Sequence, residues 1–185
     1  MTEIQKTYKR VLQAYLRFCP HCGERLKLRV RDHDKELTCV SCEHVMWLNS
    51  KPTASCLLIN EKKEVLLSKR GIKPLKSWWD VPGGFLKLGE PAEAGVRREI
   101  KEELGIRLTQ IKMLPCIYAG TYQTTPLQIT FNTYFAAKIS SHARLTPQDD
   151  VVDAKWFHIN KLPKIAFANN QKALRYLVRN FANFF

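Results

Sequence analysis

No run of about 18 apolar residues occurs in this 185-residue chain, which excludes a membrane-crossing helix. Internal repeats and low-complexity tracts are also missing, so repeat arrays and fibrous classes fall away. The first 17 residues are charged and mixed, without the apolar core or small-residue cleavage site of a secretory leader. A soluble, cytoplasmic protein with no membrane partner is the expectation. Acidic residues are scarce: 17 Asp and Glu stand against 30 Lys and Arg, a formal charge of +13. From 161 to 185 there is no acid, while Lys161, Lys164, Lys172, Arg175 and Arg179 are present. Such an excess attracts polyanions, RNA and nucleotides among them, or serves solubility alone. An apolar fraction of 45% with 25% charged residues excludes a disordered chain.

Six cysteines are present, and four of them form two Cys-x-x-Cys units: Cys19 with Cys22, and Cys39 with Cys42. Sixteen residues lie between the units, enough for a hairpin. Two such turns supply the four soft ligands of a tetrahedral Zn²⁺, with no open position left for catalysis, so a structural zinc is expected. The alternatives are a redox pair or unbound thiols. Cys56 and Cys116 lie in apolar stretches and read as core residues. His21 and His44 are surplus to the ligand set.

The periodicity predicts an N-terminal helix over residues 1–17, a zinc ribbon over 18–50 and a larger domain over 51–185. In the last, strand-like runs at 53–60 and 64–68 read as a hairpin, and further strands are expected near 111–122, 127–139 and 154–159. A helix is expected from about Pro91 to Leu104, with Gly105 just past its end, and another over 168–181. Strands with helices on both sides indicate an α/β (α+β) fold.

Residues 84–106 carry the chemistry. Glu99, Glu102 and Glu103 lie at i, i+3 and i+4, which on a helix places them within an arc of roughly 100°. Three like charges so close repel and raise one another's pKa, unless a cation compensates. Mg²⁺ or Mn²⁺ shared with substrate phosphates suits oxygen ligands of this kind. Val96, Ile100 and Leu104 form the adjoining apolar stripe that would fix the helix. Gly83 and Gly84 allow close approach of backbone to phosphate or metal. With no obvious nucleophile, the pattern points to hydrolysis by metal-activated water. The alternative is a solvated acidic helix face.

This stretch resembles the Nudix box, G-x5-E-x7-R-E-U-x-E-E-x-G-U with U aliphatic. Gly84, Glu90, Arg98, Glu99, Ile100, Glu102, Glu103, Gly105 and Ile106 meet every fixed position. The resemblance implies a Nudix fold, a mixed β-sheet sandwiched between helices, preceded here by the ribbon. It implies that Glu99 and Glu103 are the main Mg²⁺ or Mn²⁺ ligands, that Glu102 shares a metal or positions water, and that the Gly83 carbonyl joins the metal shell. Arg98 would orient a glutamate and Glu90 would brace the loop. A further acid from a later loop is implied at Asp150, within Asp149-Asp150-Val151-Val152-Asp153. Relatives usually carry Glu there, and a solvated acidic loop is the other reading.

A ribbon joined to a Nudix domain is similar to two groups. NADH pyrophosphatases, including NAD-cap-removing enzymes, carry a Ser-Gln-Pro-Trp-Pro-Phe-Pro-like motif after the box. This chain has Leu114-Pro115-Cys116-Ile117-Tyr118-Ala119-Gly120-Thr121-Tyr122 instead. Compact enzymes similar to FAD and ADP-ribose pyrophosphatases share features such as Lys69-Arg70-Gly71-Ile72-Lys73-Pro74. That resemblance implies a nucleotide-derivative substrate, FAD or ADP-ribose, cleaved to AMP and a phosphorylated remainder. Lys69 and Arg70 would meet phosphates, or are edge-strand charges. Phe85, Tyr118, Tyr122 and Trp79 would stack on a ring, or pack in the core. A rival of another class is a nucleic-acid-binding regulator that uses the Nudix domain as a ligand sensor. The complete box speaks against it. The ribbon is also compatible with homodimer contacts.

Overall fold

The computed structural model describes residues 16–31, 34–46, 49–124 and 127–183. The helix expected over residues 1–17 falls, up to residue 15, outside this set; Leu16 and Arg17 are described and are not helical. The chain forms two compact units, one of residues up to Asn49 together with Gln123–Gln128, the other of Ser50–Tyr122 and Ile129–Phe185.

The first unit holds a three-stranded antiparallel sheet in the order β1 (Leu26–Arg31), β2 (Asp34–Cys39), β3 (Val45–Met46). Leu26 pairs with Cys39 and Arg31 with Asp34, so β1 and β2 form the hairpin between the two cysteine turns. The first turn closes through the Gly23 N–H on the Cys19 carbonyl at 2.9 Å, with Gly23 at φ +79°. The second turn ends with Glu43 at φ +56°, a left-handed conformation that a non-glycine residue adopts at a cost.

The second unit is built on a mixed sheet with the path β10–β5–β4–β9–β8. Its strands are β4 (Lys51–Ile59), β5 (Glu64–Arg70), β8 (Lys112–Thr124), β9 (Leu127–Lys138) and β10 (Val151–His158). Two short strands attach to it: β6 (Trp79–Asp80) beside β5, and β7 (Gly83–Phe85) beside β4. β4 runs parallel to β9 and antiparallel to β5 and β7. Two helices cover the sheet, α1 (Ala92–Leu104) and α2 (Ala168–Arg179).

The two-residue period of a strand explains how both faces are filled. From β4, Ala54, Cys56 and Leu58 join Val96, Ile100 and Leu104 of α1 in one core. Leu57 and Ile59 join Ala173, Leu174 and Leu177 of α2 in the other. The sheet is therefore sandwiched between helices. The stripe Val96, Ile100, Leu104 is completely buried. The helix ends where expected: Gly105 at φ +72° donates its N–H to the Lys101 carbonyl at 3.0 Å.

β10 differs from its expected span. It begins at Val151, three residues early, because Val151 pairs with Arg70 and a bulge separates it from Asp153. Sheet pairing overrides the low strand propensity of an acidic run.

Candidate active site

The loop from Gly83 to Pro91 is pinned to α1 by Arg98. Its Nε and Nη2 donate to the two Glu90 oxygens, each at 2.8 Å. Nη1 donates to Glu99 at 2.7 Å and to Glu102 at 2.8 Å, and Nη2 also reaches the Phe85 carbonyl at 3.1 Å. All five guanidinium N–H groups are thus engaged, in the forked geometry that only Arg offers. Arg98, followed by the Lys87 N–H, holds the Glu90 carboxyl down at about 2. Glu90 is a brace rather than a proton donor.

Gly83 and Gly84 bring backbone against the carboxylates. The Gly83 N–H, at φ +136°, donates to Glu103 Oε2 at 3.0 Å. A Cβ on Gly84 would lie 2.6 Å from the Glu99 carboxyl group, so a side chain there would displace that carboxylate. Asp150 comes from the loop just ahead of β10. The Thr146 and Gln148 N–H groups donate to the carbonyls of Leu104 and Glu103 at the end of α1, and the Gly71 N–H donates to the Asp150 carbonyl. These bonds satisfy helix-terminal carbonyls and hold the acidic loop in place.

Glu99, Glu103 and Asp150 all line one cavity of about 210 Å³. Glu102 does not: it lies on Arg98 with its side chain 44% exposed. Burial, then the charge of Asp150, pushes the Glu103 carboxyl well above its ordinary value. Burial raises Glu99 despite Arg98, and raises Asp150 despite Arg70. Three carboxylates facing one cavity, Glu103 buried and Glu99 and Asp150 partly buried, form a donor set of hard oxygens, the chemistry that suits Mg²⁺ or Mn²⁺.

The shifts carry a sign. An acid with a raised folded pKa contributes stability below its unfolded value, near 4.5, and loses it as pH rises through the folded value. Without metal, the cluster therefore weakens the fold as pH rises from the unfolded value through the folded one. A divalent cation favours the ionised form and reverses the trend. The increase in melting temperature caused by Mg²⁺ is expected to grow as pH rises from the ordinary carboxylate range through the raised values of these acids. A shift that is flat or shrinks over that range, measured by scanning fluorimetry, would contradict this carboxylate site.

Arg70 lines the same cavity, with its side chain 12% exposed. It donates to the Pro74 carbonyl at 2.9 Å and the Tyr122 hydroxyl at 3.2 Å, and lies 5.0 Å from the Phe167 ring centre. Lys69 is its neighbour on β5, so it faces the other way, over Trp79. Phe85 and Tyr122 line the cavity and meet edge to face at 5.2 Å. Tyr118 instead packs on Tyr134, and Trp79 on Phe157, both against the core on the α2 side.

Several cavity residues have no signature in the sequence: Thr53, Ser55, Asp80, Asn132, Asn169 and Asn170. Burial raises Asp80 to about 7, opposed by the Asn170 amide that donates to it at 2.6 Å. A carboxylate between Trp79 and Val81 is the one local hint of this group.

In the first unit, the four cysteine sulfurs at 19, 22, 39 and 42 lie within 4.8 Å of one another. Cys19 and Cys42 are 3.7 Å apart, and Cys22 and Cys39 3.5 Å. These separations are far beyond the roughly 2.05 Å of a disulfide. They fit the spacing of about 3.8 Å that tetrahedral bonds of about 2.3 Å impose. Backbone N–H groups of His21, Ser41 and Cys42 point at Cys19 and Cys39, which suits thiolate ligands.

Fold and site together define a helix–sheet–helix domain that presents buried carboxylates to a cavity beside an arginine-braced glycine loop. The chain belongs to the Nudix family: residues 49–181 match the NUDIX domain. It is 28% identical to a NAD-capped RNA hydrolase NudC of Pseudomonas aeruginosa over 149 residues, 80% of this chain and 50% of that protein. It is 33% identical to an ADP-ribose pyrophosphatase of Methanocaldococcus jannaschii over 122 residues, 66% of this chain and 70% of that one. The chain thus spans about half the length of the NudC relatives it matches. Among solved structures, a NUDIX hydrolase from Nitrosomonas europaea superposes with a TM-score of 0.64 at 24% identity, covering 89% of this chain and 91% of that one. The NUDIX domain of Shewanella oneidensis NrtR, solved with ADP ribose, superposes at 0.61 with 21% identity over 73% and 90% of the two chains. Among the described residues, no helix is long and apolar enough to cross a membrane.

Proposed function

We propose that this chain hydrolyses the pyrophosphate link of a nucleoside diphosphate joined to a second moiety, with ADP-ribose or FAD favoured. The reading rests on one observation: Glu99, Glu103 and Asp150 line one cavity together with Arg70, Glu103 buried and the other two partly buried. Glu99, Glu103 and Asp150 would hold Mg²⁺ or Mn²⁺, with the Gly83 carbonyl beside them. Such a metal supplies an activated water and offsets charge on the leaving oxygen. Arg98 keeps Glu99 oriented, and Gly84 leaves room for that carboxylate. Arg70 meets a phosphate or stays paired with the acids around it. In the first unit, residues 18–50, the four cysteines hold a structural Zn²⁺. The larger unit, 51–185, is the hydrolase domain.

The similarity to an ADP-ribose pyrophosphatase supports ADP-ribose. The similarity to NAD-capped RNA hydrolases favours a second reading, cleavage of NAD(H) or an NAD cap, with the basic residues 161–179 facing RNA. Product chromatography decides between them, over ADP-ribose, FAD, NADH, diadenosine polyphosphates, nucleoside triphosphates and NAD-capped RNA, each with Mg²⁺ or Mn²⁺. The expected result is AMP and ribose 5-phosphate from ADP-ribose, or AMP and FMN from FAD, faster than any release from NADH or capped RNA. If every substrate stays intact while RNA binds in a salt-sensitive way, the chain is a regulator and the proposal fails.

A further inference from the structure

A larger recess, of about 680 Å³, lies between α2 and the chain that leads into it. It shares no lining residue with the carboxylate cavity. Its floor is aliphatic: Ile159, Ile165 and Leu174 are buried beneath it, and Val178 is 37% exposed. Its rim is cationic, with exposed Lys164 from the loop and exposed Arg175 and Arg179 from α2. The helical period builds this pattern. Leu174 and Val178 are four residues apart, as are Arg175 and Arg179, so an aliphatic row and a cationic row run side by side in steps of about 6 Å. The loop wall is held in place: the Ala166 N–H donates to the Trp79 carbonyl at 2.9 Å, and Gln171 Nε2 donates to the Ile165 carbonyl at 3.0 Å.

The rim cations have no acidic partner of their own. Lys164 Nζ stands 4.2 Å from the centre of the Trp78 ring. Among the described residues, Lys164, Arg175 and Arg179 make no ion pair, and the sequence has no acid from 161 to 185. Cations over an aliphatic floor complement an anion that also carries apolar surface. Three kinds of polyanion differ in how they would use such a recess. Single-stranded nucleic acid stacks its bases on ring faces, and no aromatic side chain lines this recess among the described residues. A bilayer takes up apolar groups that project past the charges, whereas Ile159, Ile165 and Leu174 are buried below exposed cations. A helical peptide uses both features. It lays one apolar row in the groove, and its flanking carboxylates meet the forked guanidinium groups.

We propose that this recess is a docking groove for an acidic amphipathic helix of a partner protein. Carboxylates one helical turn apart on the partner meet Arg175 and Arg179, and its aliphatic side chains enter beside Leu174 and Val178. Lys164 closes the charge pattern from the loop. The inference is independent of the pyrophosphatase reading, because the groove and the carboxylate cavity have no residue in common.

Fluorescence anisotropy on the whole protein, at about 0.15 M salt, tests the groove with a labelled synthetic helix of about 15 residues. The probe carries a row of leucines flanked by glutamates at helical spacing. A control peptide has the same residues in scrambled order, so its charge is equal and its apolar row is gone. The patterned peptide is expected to bind about tenfold or more tightly than the scrambled one. Arg175→Glu together with Arg179→Glu is expected to weaken binding about tenfold or more, and a lysine version of the peptide should regain affinity for that variant. Val178→Glu leaves both cations and puts a charge on the floor. It must also weaken binding, and it decides the matter if the double variant does not fold. No binding of the patterned peptide, equal binding of the scrambled one, or indifference to these substitutions overturns the proposal. So does tighter binding of oligouridylate or of phosphatidylserine vesicles through Arg175 and Arg179, which would make the groove an RNA or membrane contact. Product chromatography with ADP-ribose on the same sample reads hydrolysis separately, so the failure of either reading leaves the other standing.

Discussion

Glu103→Gln is expected to lower kcat/KM for the preferred substrate by on the order of a thousandfold or more, with the protein still folded. Glu103 is 6% exposed, accepts the Gly83 N–H at 3.0 Å, and shares its cavity with Glu99 and Asp150. Glutamine keeps the size, and its amide oxygen still accepts from Gly83. Only the charge is lost. Because burial and Asp150 already disfavour the ionised carboxyl, the neutral amide relieves repulsion in the metal-free state. The melting temperature without metal should therefore hold or rise, and the increase produced by Mg²⁺ should vanish. Kinetics and scanning fluorimetry on the same sample read both effects. A variant that keeps turnover within about tenfold, or that still responds to Mg²⁺, would remove Glu103 from the metal site.

The second large effect is expected at the cysteine cluster. Cys39→Ser should reduce bound zinc from one equivalent to a small fraction and unfold the first unit. Cys39 is completely buried, lies 3.5 Å from Cys22, and receives N–H groups from Ser41 and Cys42. Apart from the cysteines, this unit buries little: Leu37 is the one large apolar side chain buried among its described residues. A unit so small would depend on such a metal, since structural zinc contributes roughly 10–16 kcal/mol of apparent binding energy at neutral pH. Losing one of four thiolates forfeits a large part of that. Metal analysis with calorimetric melting should show a zinc-poor protein with a new low-temperature transition. A variant that is zinc-free yet melts like the wild type would mean the thiols serve another purpose.

Which parts were legible beforehand follows from the range of the interactions involved. The α1 helix was expected from about 91 to 104 and spans 92–104, because its stripe, its preceding proline and its terminal glycine are all local signals. The two cysteine turns were legible for the same reason: each sets its own geometry over four residues. The division of labour among the three glutamates was not. Helical spacing puts Glu99, Glu102 and Glu103 on one arc, and only the packing of α1 on the sheet turns Glu103 inward and leaves Glu102 on Arg98 near solvent. Lys69 and Arg70 were equivalent as basic neighbours. Pairing of β5 with β10 and β6 sent them to opposite faces.

Sequence alone therefore determined the elements, the carboxylate motif and the two Cys-x-x-Cys turns, since each is written within one helix turn, one strand period or one tight turn. Tertiary structure alone decided which acids share a cavity with Asp150, which cation joins them, and that Ser55, Asp80, Asn132 and Asn170 meet in one hydrogen-bonded group. Asp80 and Asn170 are 90 positions apart. No periodicity links residues at such separations. Only the closing of a mixed sheet between two helices brings them within hydrogen-bonding distance.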